Sequence, residues 1–336
     1  MQTAAPPRAR RRPRPGARGV WAAVGWRVLG GAVVLWAAAT AVFFAIRAVP
    51  GDPAEAILGG PGSQAGPEAL EAARREYGLD LPLGRQYAIY LGRLLSGDLG
   101  TSYGLRRPVA EVIGEQVGGT VLLAALALLV AWLIALGWLL ATSRVRGPWN
   151  AVGSGGDLVA ASLPEFWLAA ILIVVFSTTL RWLPATSTAG PAGLVLPVLA
   201  LAIPLAGFLA QVMRDSMRDS LRAPYSLSAR ARGERGLGLR LRHSLRHAAL
   251  PGVALSGWAF GYLVGGAVVI ETIFARPGLG RTLLSAVTAR DVPLVTGVVL
   301  ASAAAYVLVT VVTDLVARLV DPAASGDGLD GRTAPR

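Results

Sequence analysis

Neither cysteine nor lysine occurs in this sequence of 336 residues, and histidine occurs only twice. Without cysteine there is no disulfide framework, no thiolate nucleophile and no cysteine metal site. Without lysine no glycine-rich phosphate loop ending in Gly-Lys-Ser/Thr can form, so the chain is not expected to hydrolyse ATP. His243 and His247 stand four apart, a spacing compatible with zinc, but serine follows the first where a helical metalloprotease motif needs glutamate. Arg240, Arg242 and Arg246 would also repel a divalent cation, so the expectation is a basic helical surface with no metal and no cofactor in this chain. Charge is scarce as well: 15% of residues are charged and 54% are hydrophobic, against roughly 25% charged in an average soluble domain.

The apolar residues are concentrated in runs that match the ~20 residues needed to cross a bilayer as a helix. Six such runs are expected as spans, at residues 28–46, 120–141, 158–180, 194–213, 252–273 and 295–319. The third is placed despite Pro164 and Glu165 near its start, and the Gly153–Gly156 run before it reads as a connector. The fourth contains Pro197 and Pro204, which membrane helices tolerate and which imply bends. Residues 47–118 are too polar to cross. Within them, Leu83, Tyr87, Tyr90, Leu91 and Leu94 repeat at helical spacing, which suits a helix lying on the membrane surface or on the spans.

All 32 basic residues are arginine, and their positions say more about topology than about nucleic acid. Residues 8–27 hold seven arginines and no acid, and the apolar run behind them ends without a small-x-small cleavage site, so it reads as a retained anchor. With residues 1–27 inside as an arginine-rich tail, the inner segments collect 21 of the 32 arginines, while acids outnumber arginines nine to seven in the external segment 47–118. The positive-inside rule therefore expects both termini in the cytoplasm, including the tail 323–336 beyond the core 119–322. The expected fold class is an all-α integral membrane protein with about six transmembrane helices.

Ionisable residues near spans are functional candidates because charge is costly in hydrocarbon. Glu165 is expected near the inner end of span 3, Glu271 near the outer end of span 5 and Asp314 toward the inner end of span 6; the ordinary alternative for each is a residue at the interface or facing a helix partner. Between spans 4 and 5, residues 214–250 carry nine arginines and three acids. Arg214–Arg222 continues span 4 as a polar helix, Pro224 breaks it, and Tyr225–Gly233 forms a short helix ended by glycine, small on one side and basic on the other.

These pieces, in this order, resemble the permease subunits of bacterial ATP-binding-cassette importers of the dipeptide, oligopeptide and nickel class. The resemblance runs from residue 28 to 322. It is carried by Ala48-Val49-Pro50-Gly51-Asp52-Pro53, Tyr77-Gly78-Leu79-Asp80-Leu81-Pro82-Leu83, Gly97-Asp98-Leu99-Gly100 with Ser102, Leu163-Pro164 with Phe166-Trp167, and Trp182-Leu183-Pro184. Further along it continues in Tyr225 with Ala229-Arg230-Ala231-Arg232-Gly233, in Glu271-Thr272-Ile273-Phe274 with Pro277-Gly278-Leu279-Gly280, and in Asp321-Pro322. The family implies a cytoplasmic coupling helix at Tyr225, Ala229, Arg230, Ala231, Arg232 and Gly233, seated in a groove of an ATPase that binds ATP and Mg. It implies as partners a second homologous permease, two ABC ATPases and an extracytoplasmic solute-binding protein, within membrane lipid and without nucleic acid. The long external segment is similar to that of the first permease of such pairs. Glu271, Thr272, Pro277 and Gly278 are the external gate candidates. Short peptides are the expected cargo in a bacterial cytoplasmic membrane; nickel or another small solute, an intramembrane enzyme and an assembly anchor are the alternatives.

Overall fold

The computed structural model describes residues 17–48, 51–59, 65–143, 148–187, 190–234 and 236–320. Among them the chain is all-α, with one isolated bridge between Thr101 and Pro108 and no strand. The Arg8–Arg14 part of the tail and Asp321-Pro322 lie outside the described residues, and so does the side chain of Asp314.

Helix α1 (Ala17–Ala48) is followed by the short α2 (Pro53–Ile57), α3 (Pro67–Glu76) and α4 (Leu83–Leu95). Proline at the first position starts α3, where its missing N–H has no intrahelical partner to lose. The aromatic stripe of α4 rests on α1: the Tyr87 and Thr40 hydroxyls are 2.7 Å apart, Tyr90 donates to the Ala39 carbonyl at 3.1 Å, and the Phe43 ring meets both tyrosines. Outside the spans, Arg74 donates to Asp52 at 2.5 Å and holds that carboxyl below its usual range.

Helix α5 (Val109–Thr142) has 34 residues, about 51 Å at ~1.5 Å per residue, against a hydrocarbon core of ~30 Å. Its first turns therefore project beyond the apolar layer, and there Arg107 pairs with exposed Glu115 at 2.5 Å. Within the layer α5 buries Ala124, Ala127, Ala131 and Ala135. Small side chains at intervals of three and four let another backbone approach, the usual device where lipid removes the hydrophobic drive for helix association. The neighbour is α8 (Ala192–Arg222), reached through α6 (Pro148–Ser162) and α7 (Glu165–Leu172), the latter prolonged by a π-helical stretch, Ile173–Thr179. Helix α8 is the central element: 67% of its most apolar stretch is covered by the chain itself, against 22% for α1 and for the last span.

The short α9 (Pro224–Ala231) and α10 (Gly236–Leu239) lead through a π-helical segment, Arg240–Ser244, into α11 (Leu245–Ile273); α12 (Leu279–Thr288) and α13 (Val292–Val320) complete the order. Among the described residues five helices are long and apolar enough to cross a membrane, and the bent pair 148–162 with 165–179 makes a sixth when taken as one span.

That pair stands where a span was expected at 158–180, and it begins earlier, at Pro148. Its halves meet at 96°, because Pro164 sits extended at φ −64°, ψ 132° as the cap of α7 and cannot donate to a continuing helix. The Gly153–Gly156 connector is corrected too, since it lies inside α6. A Cβ at Gly153 would come within 2.5 Å of the Arg214 guanidinium, so the bare backbone makes room for a side chain of α8.

Candidate functional site

The segment between spans 4 and 5 is built by α8 running past its apolar part to Arg222, as expected, and by Pro224 starting a new helix after extended Ala223. Helix α9 is fixed to the end of α8 by its own small residues. Ser226 and Ala229 are fully buried, and the Ser226 hydroxyl donates to the Ser220 carbonyl at 2.7 Å. Arg230 turns back to donate to the Leu221 carbonyl at 3.0 Å, satisfying an orphan group at the end of α8. Tyr225 contacts the Ser220 hydroxyl at 2.7 Å and lays its ring 5.2 Å from that of His247 at the start of α11. Gly233 follows the last turn at φ +92°, a left-handed position that a side chain would strain.

The face left open consists of Tyr225, Leu227, Ser228, Ala231 and Arg232, with Leu227 56% exposed. Ala229 does not belong to it. The sequence pattern suggests one small surface shared by Ala229 and Ala231, but in a helix residues two apart point to different sides. Ala229 faces into the chain with Ser226, three positions earlier, and Ala231 faces out.

Three arginines of this basic stretch serve the interior. Arg214, 2% exposed, donates through Nε and, at 3.0 Å, through a second nitrogen to the two oxygens of buried Asp157 on α6, and to the Thr142 hydroxyl on α5 at 3.0 Å. Arg230 caps α8, and Arg240 donates to the Leu140 carbonyl and, at 3.0 Å, to the Ser143 carbonyl at the end of α5. Among the described residues no group of three or more His, Cys, Asp or Glu is placed to hold a metal ion.

At the far end of α11, Glu271 is fully buried and joins three elements. Its Oε1 accepts from the Thr120 hydroxyl of α5 at 2.6 Å, and its Oε2 accepts from the backbone N–H groups of Gly280 at 2.8 Å and Arg281 at 3.1 Å. Thr120 in turn accepts from the Leu279 N–H at 2.8 Å. The carboxylate and the hydroxyl thus take up the free N–H groups at the start of α12, where the positive end of the helix dipole favours an anion. A Cβ on Gly278 would lie 2.1 Å from Glu271 Oε1, so glycine there admits the carboxylate. Of the four gate candidates, Glu271 and Gly278 meet, Pro277 lines a neighbouring cleft of about 390 Å³, and Thr272 stands apart, donating to the Val268 carbonyl of its own helix at 2.8 Å. Sequence reasoning missed Thr120, and it missed Asp291 between α12 and α13. Buried Asp291 accepts from the Ser102 hydroxyl at 2.5 Å and ties the segment 47–118 to the last span.

Glu165, expected near one end of its span, packs against Gly266 of α11, where a Cβ would lie 2.2 Å from its Oε2. The bend at Pro164 places it there.

Two family models match the chain. The binding-protein-dependent transport system inner membrane component covers residues 133–326, and the N-terminal component of the same systems covers residues 23–124. The chain belongs to this family of binding-protein-dependent transport system membrane components. A protein named as a peptide transport system permease in Brucella suis is 35% identical over 305 residues, 88% of this chain and 96% of that protein. The glutathione transport system permease protein of Salmonella choleraesuis is 35% identical over 298 residues, with the same two coverages of 88% and 96%. A solved amino acid ABC transporter with histidines superposes with a TM-score of 0.45 at 18% identity over 63% of this chain and 94% of its own. This permease is a multi-pass inner-membrane subunit of an ABC importer and not an enzyme, and it works within a transport-system complex.

Proposed function

We propose that this permease imports short peptides, acting as the long-loop member of a pair with a second, related permease, two ABC ATPases that bind ATP and Mg, and an extracytoplasmic binding protein that delivers the solute. The observation that carries the cargo is that relatives named for peptide and for glutathione transport align along 88% of the chain, and glutathione is itself a tripeptide. Both termini and α9 are assigned to the cytoplasm, and residues 47–118 with α12 to the opposite side. The arginine asymmetry supports this, with nine arginines and three acids in residues 214–250.

In this reading α9 is the coupling helix. Tyr225, Leu227, Ser228, Ala231 and Arg232 form the face that meets an ATPase, Gly233 ends the helix so that the chain can turn away, and Ala229 and Arg230 hold the helix to α8. A rigid mount suits a coupling element, and α9 is bonded to the end of the most enclosed span, so a push on it moves α8 as a unit. At the other end, the Glu271–Thr120 junction fixes α12 across the mouth of the path as the external gate, with Pro277 and Gly278 in its turn.

The test is uptake by proteoliposomes containing the complete transporter. A labelled tripeptide should accumulate only with internal ATP and externally supplied loaded binding protein. Accumulation of a nickel chelate with no uptake of peptides would replace the cargo assignment.

A further inference from the structure

We infer that the cavity between the end of α1, one face of α4 and the start of α13 binds a phosphate group, presented by the headgroup of a phospholipid in the leaflet that the Arg47 end of α1 enters. The inference does not depend on which solute is carried.

The cavity, of about 140 Å³, is lined by Arg47 of α1, by Gln86, Ile89 and Arg93 of α4, and by Thr296 of α13. The three α4 residues stand three and four positions apart, so they share one face of that helix. Arg47 is held rigidly in the wall. One of its nitrogens donates to the Phe43 carbonyl at 3.0 Å, another donates to Gln86 Oε1 at 2.9 Å, and the guanidinium carbon lies 3.5 Å from the centre of the Phe43 ring. Gln86 is fixed in turn, since its amide nitrogen donates to the Leu79 carbonyl at 3.1 Å and to the Leu81 carbonyl at 2.8 Å. These bonds use two of the five N–H groups that an arginine carries. Among the described residues no carboxylate pairs with Arg47 or with Arg93. Asp98 shares the wall, but its carboxylate accepts from the Gly100 N–H at 2.9 Å. Two guanidinium groups therefore face one carboxylate. The Thr296 side chain is buried and its hydroxyl has no hydrogen-bond partner, because the neighbouring Tyr90 hydroxyl donates to the Ala39 carbonyl. A buried polar atom left unpaired is costly, and an anionic oxygen in the cavity would accept from it.

The depth suits a headgroup. The apolar part of α1, Leu29–Ala48, has 20 residues, which at ~1.5 Å each span ~30 Å, the thickness of the hydrocarbon core. Arg47, in the last turn, thus stands where headgroups begin. The chain covers only 22% of the most apolar stretch of α1, and Phe44, one turn before Arg47, is 52% exposed. Ile89, in the cavity wall itself, is 44% exposed. Acyl chains therefore find apolar surface next to the cationic wall. The planar fork of arginine matches a pair of phosphate oxygens, and a charged acceptor strengthens each bond. At ~30 Å³ for a water molecule the cavity has room for a phosphate group but not for a peptide.

The test uses the complete transporter, purified in mild detergent and stripped of lipid. Its thermal unfolding midpoint is followed during titration with phosphatidylglycerol, with dioleoylglycerol, which has acyl chains and no phosphate, and with inorganic phosphate. The wild type is expected to show a saturable rise with phosphatidylglycerol, none with dioleoylglycerol and a much weaker response to inorganic phosphate. Arg93 is exposed, so Arg93→Gln should keep the wild-type unfolding midpoint without lipid. It should bind phosphatidylglycerol at least about tenfold more weakly, the scale of one charged hydrogen bond. Arg47→Gln should show the same loss, and Arg75→Gln, which removes an exposed arginine of α3 outside the cavity, should bind like the wild type. No saturable rise in the wild type, undiminished affinity in both cavity variants, an equal loss in Arg75→Gln, or equal stabilisation by dioleoylglycerol would overturn the inference. Inorganic phosphate acting at the same concentration as phosphatidylglycerol would overturn the lipid source and give the cavity to a free anion.

Discussion

Arg214 of α8 and Asp157 of α6 form a two-pronged ion pair sealed inside the chain, with side chains 2% and 0% exposed, and Thr142 of α5 receives the remaining guanidinium edge at 3.0 Å. Three helices are thereby locked at one level, ten residues before α9 begins. Removing one partner leaves the other charged and buried, which costs ~3–5 kcal/mol, whereas replacing both by apolar residues of similar volume is often close to neutral. Arg214→Gln or Asp157→Asn should lower the thermal stability of the purified transporter sharply, and Arg214→Met combined with Asp157→Leu should recover most of the loss. A double variant no more stable than the weaker single variant would show that the pair does more than neutralise itself.

The junction at Glu271 yields a graded series. Glu271→Gln can still accept both α12 N–H groups through its amide oxygen, and only the Thr120 hydroxyl must reorient to accept from the new amide. Glu271→Ala strands the Gly280 and Arg281 N–H groups, at ~1–3 kcal/mol for each buried unsatisfied group. Gly278→Ala forces a methyl into the space of Oε1 and should behave like the alanine variant rather than the glutamine one. Thermal unfolding and peptide uptake, measured on the same preparations, should rank wild type, Glu271→Gln, then the other two. Loss of uptake in a stable, assembled Glu271→Gln transporter would mean that the charge itself is required.

Topology is checked by cysteine labelling, which the absence of native cysteine makes clean. Ser96 and Asp219 are both exposed and lie on the two sides assigned above. Ser96→Cys should react with an impermeant maleimide in intact cells, and Asp219→Cys only after the membrane is opened. Labelling of the Asp219 site in intact cells would invert the assignment.

Much of this was legible in the sequence because hydropathy is additive along a helix. The five unbroken spans, the continuation of α8 to Arg222, the break at Pro224 and the glycine stop at 233 all follow from local composition and residue conformation. What was not legible depends on partners far away in sequence. Asp157 and Arg214 are 57 positions apart, and the local pattern around Arg214, arginine every fourth residue, describes a solvated surface as well as it describes one buried side chain. A lone acid among Gly153, Gly155, Gly156 and an apolar run was the available signal. The bend at Pro164 was visible as a proline but outweighed by continuous hydropathy, and with the bend went the contact of Glu165 with Gly266. The inward face of α9 was readable from the three-residue spacing of Ser226 and Ala229, had small residues not been read as a contact surface in themselves.

The most direct measurement concerns the exposed face of α9. Ala231→Trp adds bulk outside the chain, so it should leave assembly with the sister permease and thermal stability unchanged while weakening recruitment of the ATPases and their stimulation by loaded binding protein. Ala229→Trp serves as the contrast, since overpacking a filled site costs ~1–3 kcal/mol and should destabilise the permease itself. ATPase co-purification and hydrolysis in nanodiscs, read beside thermal stability, separate the two. The account predicts a stable, uncoupled Ala231→Trp transporter; an Ala231→Trp variant with wild-type recruitment and wild-type stimulation would contradict it.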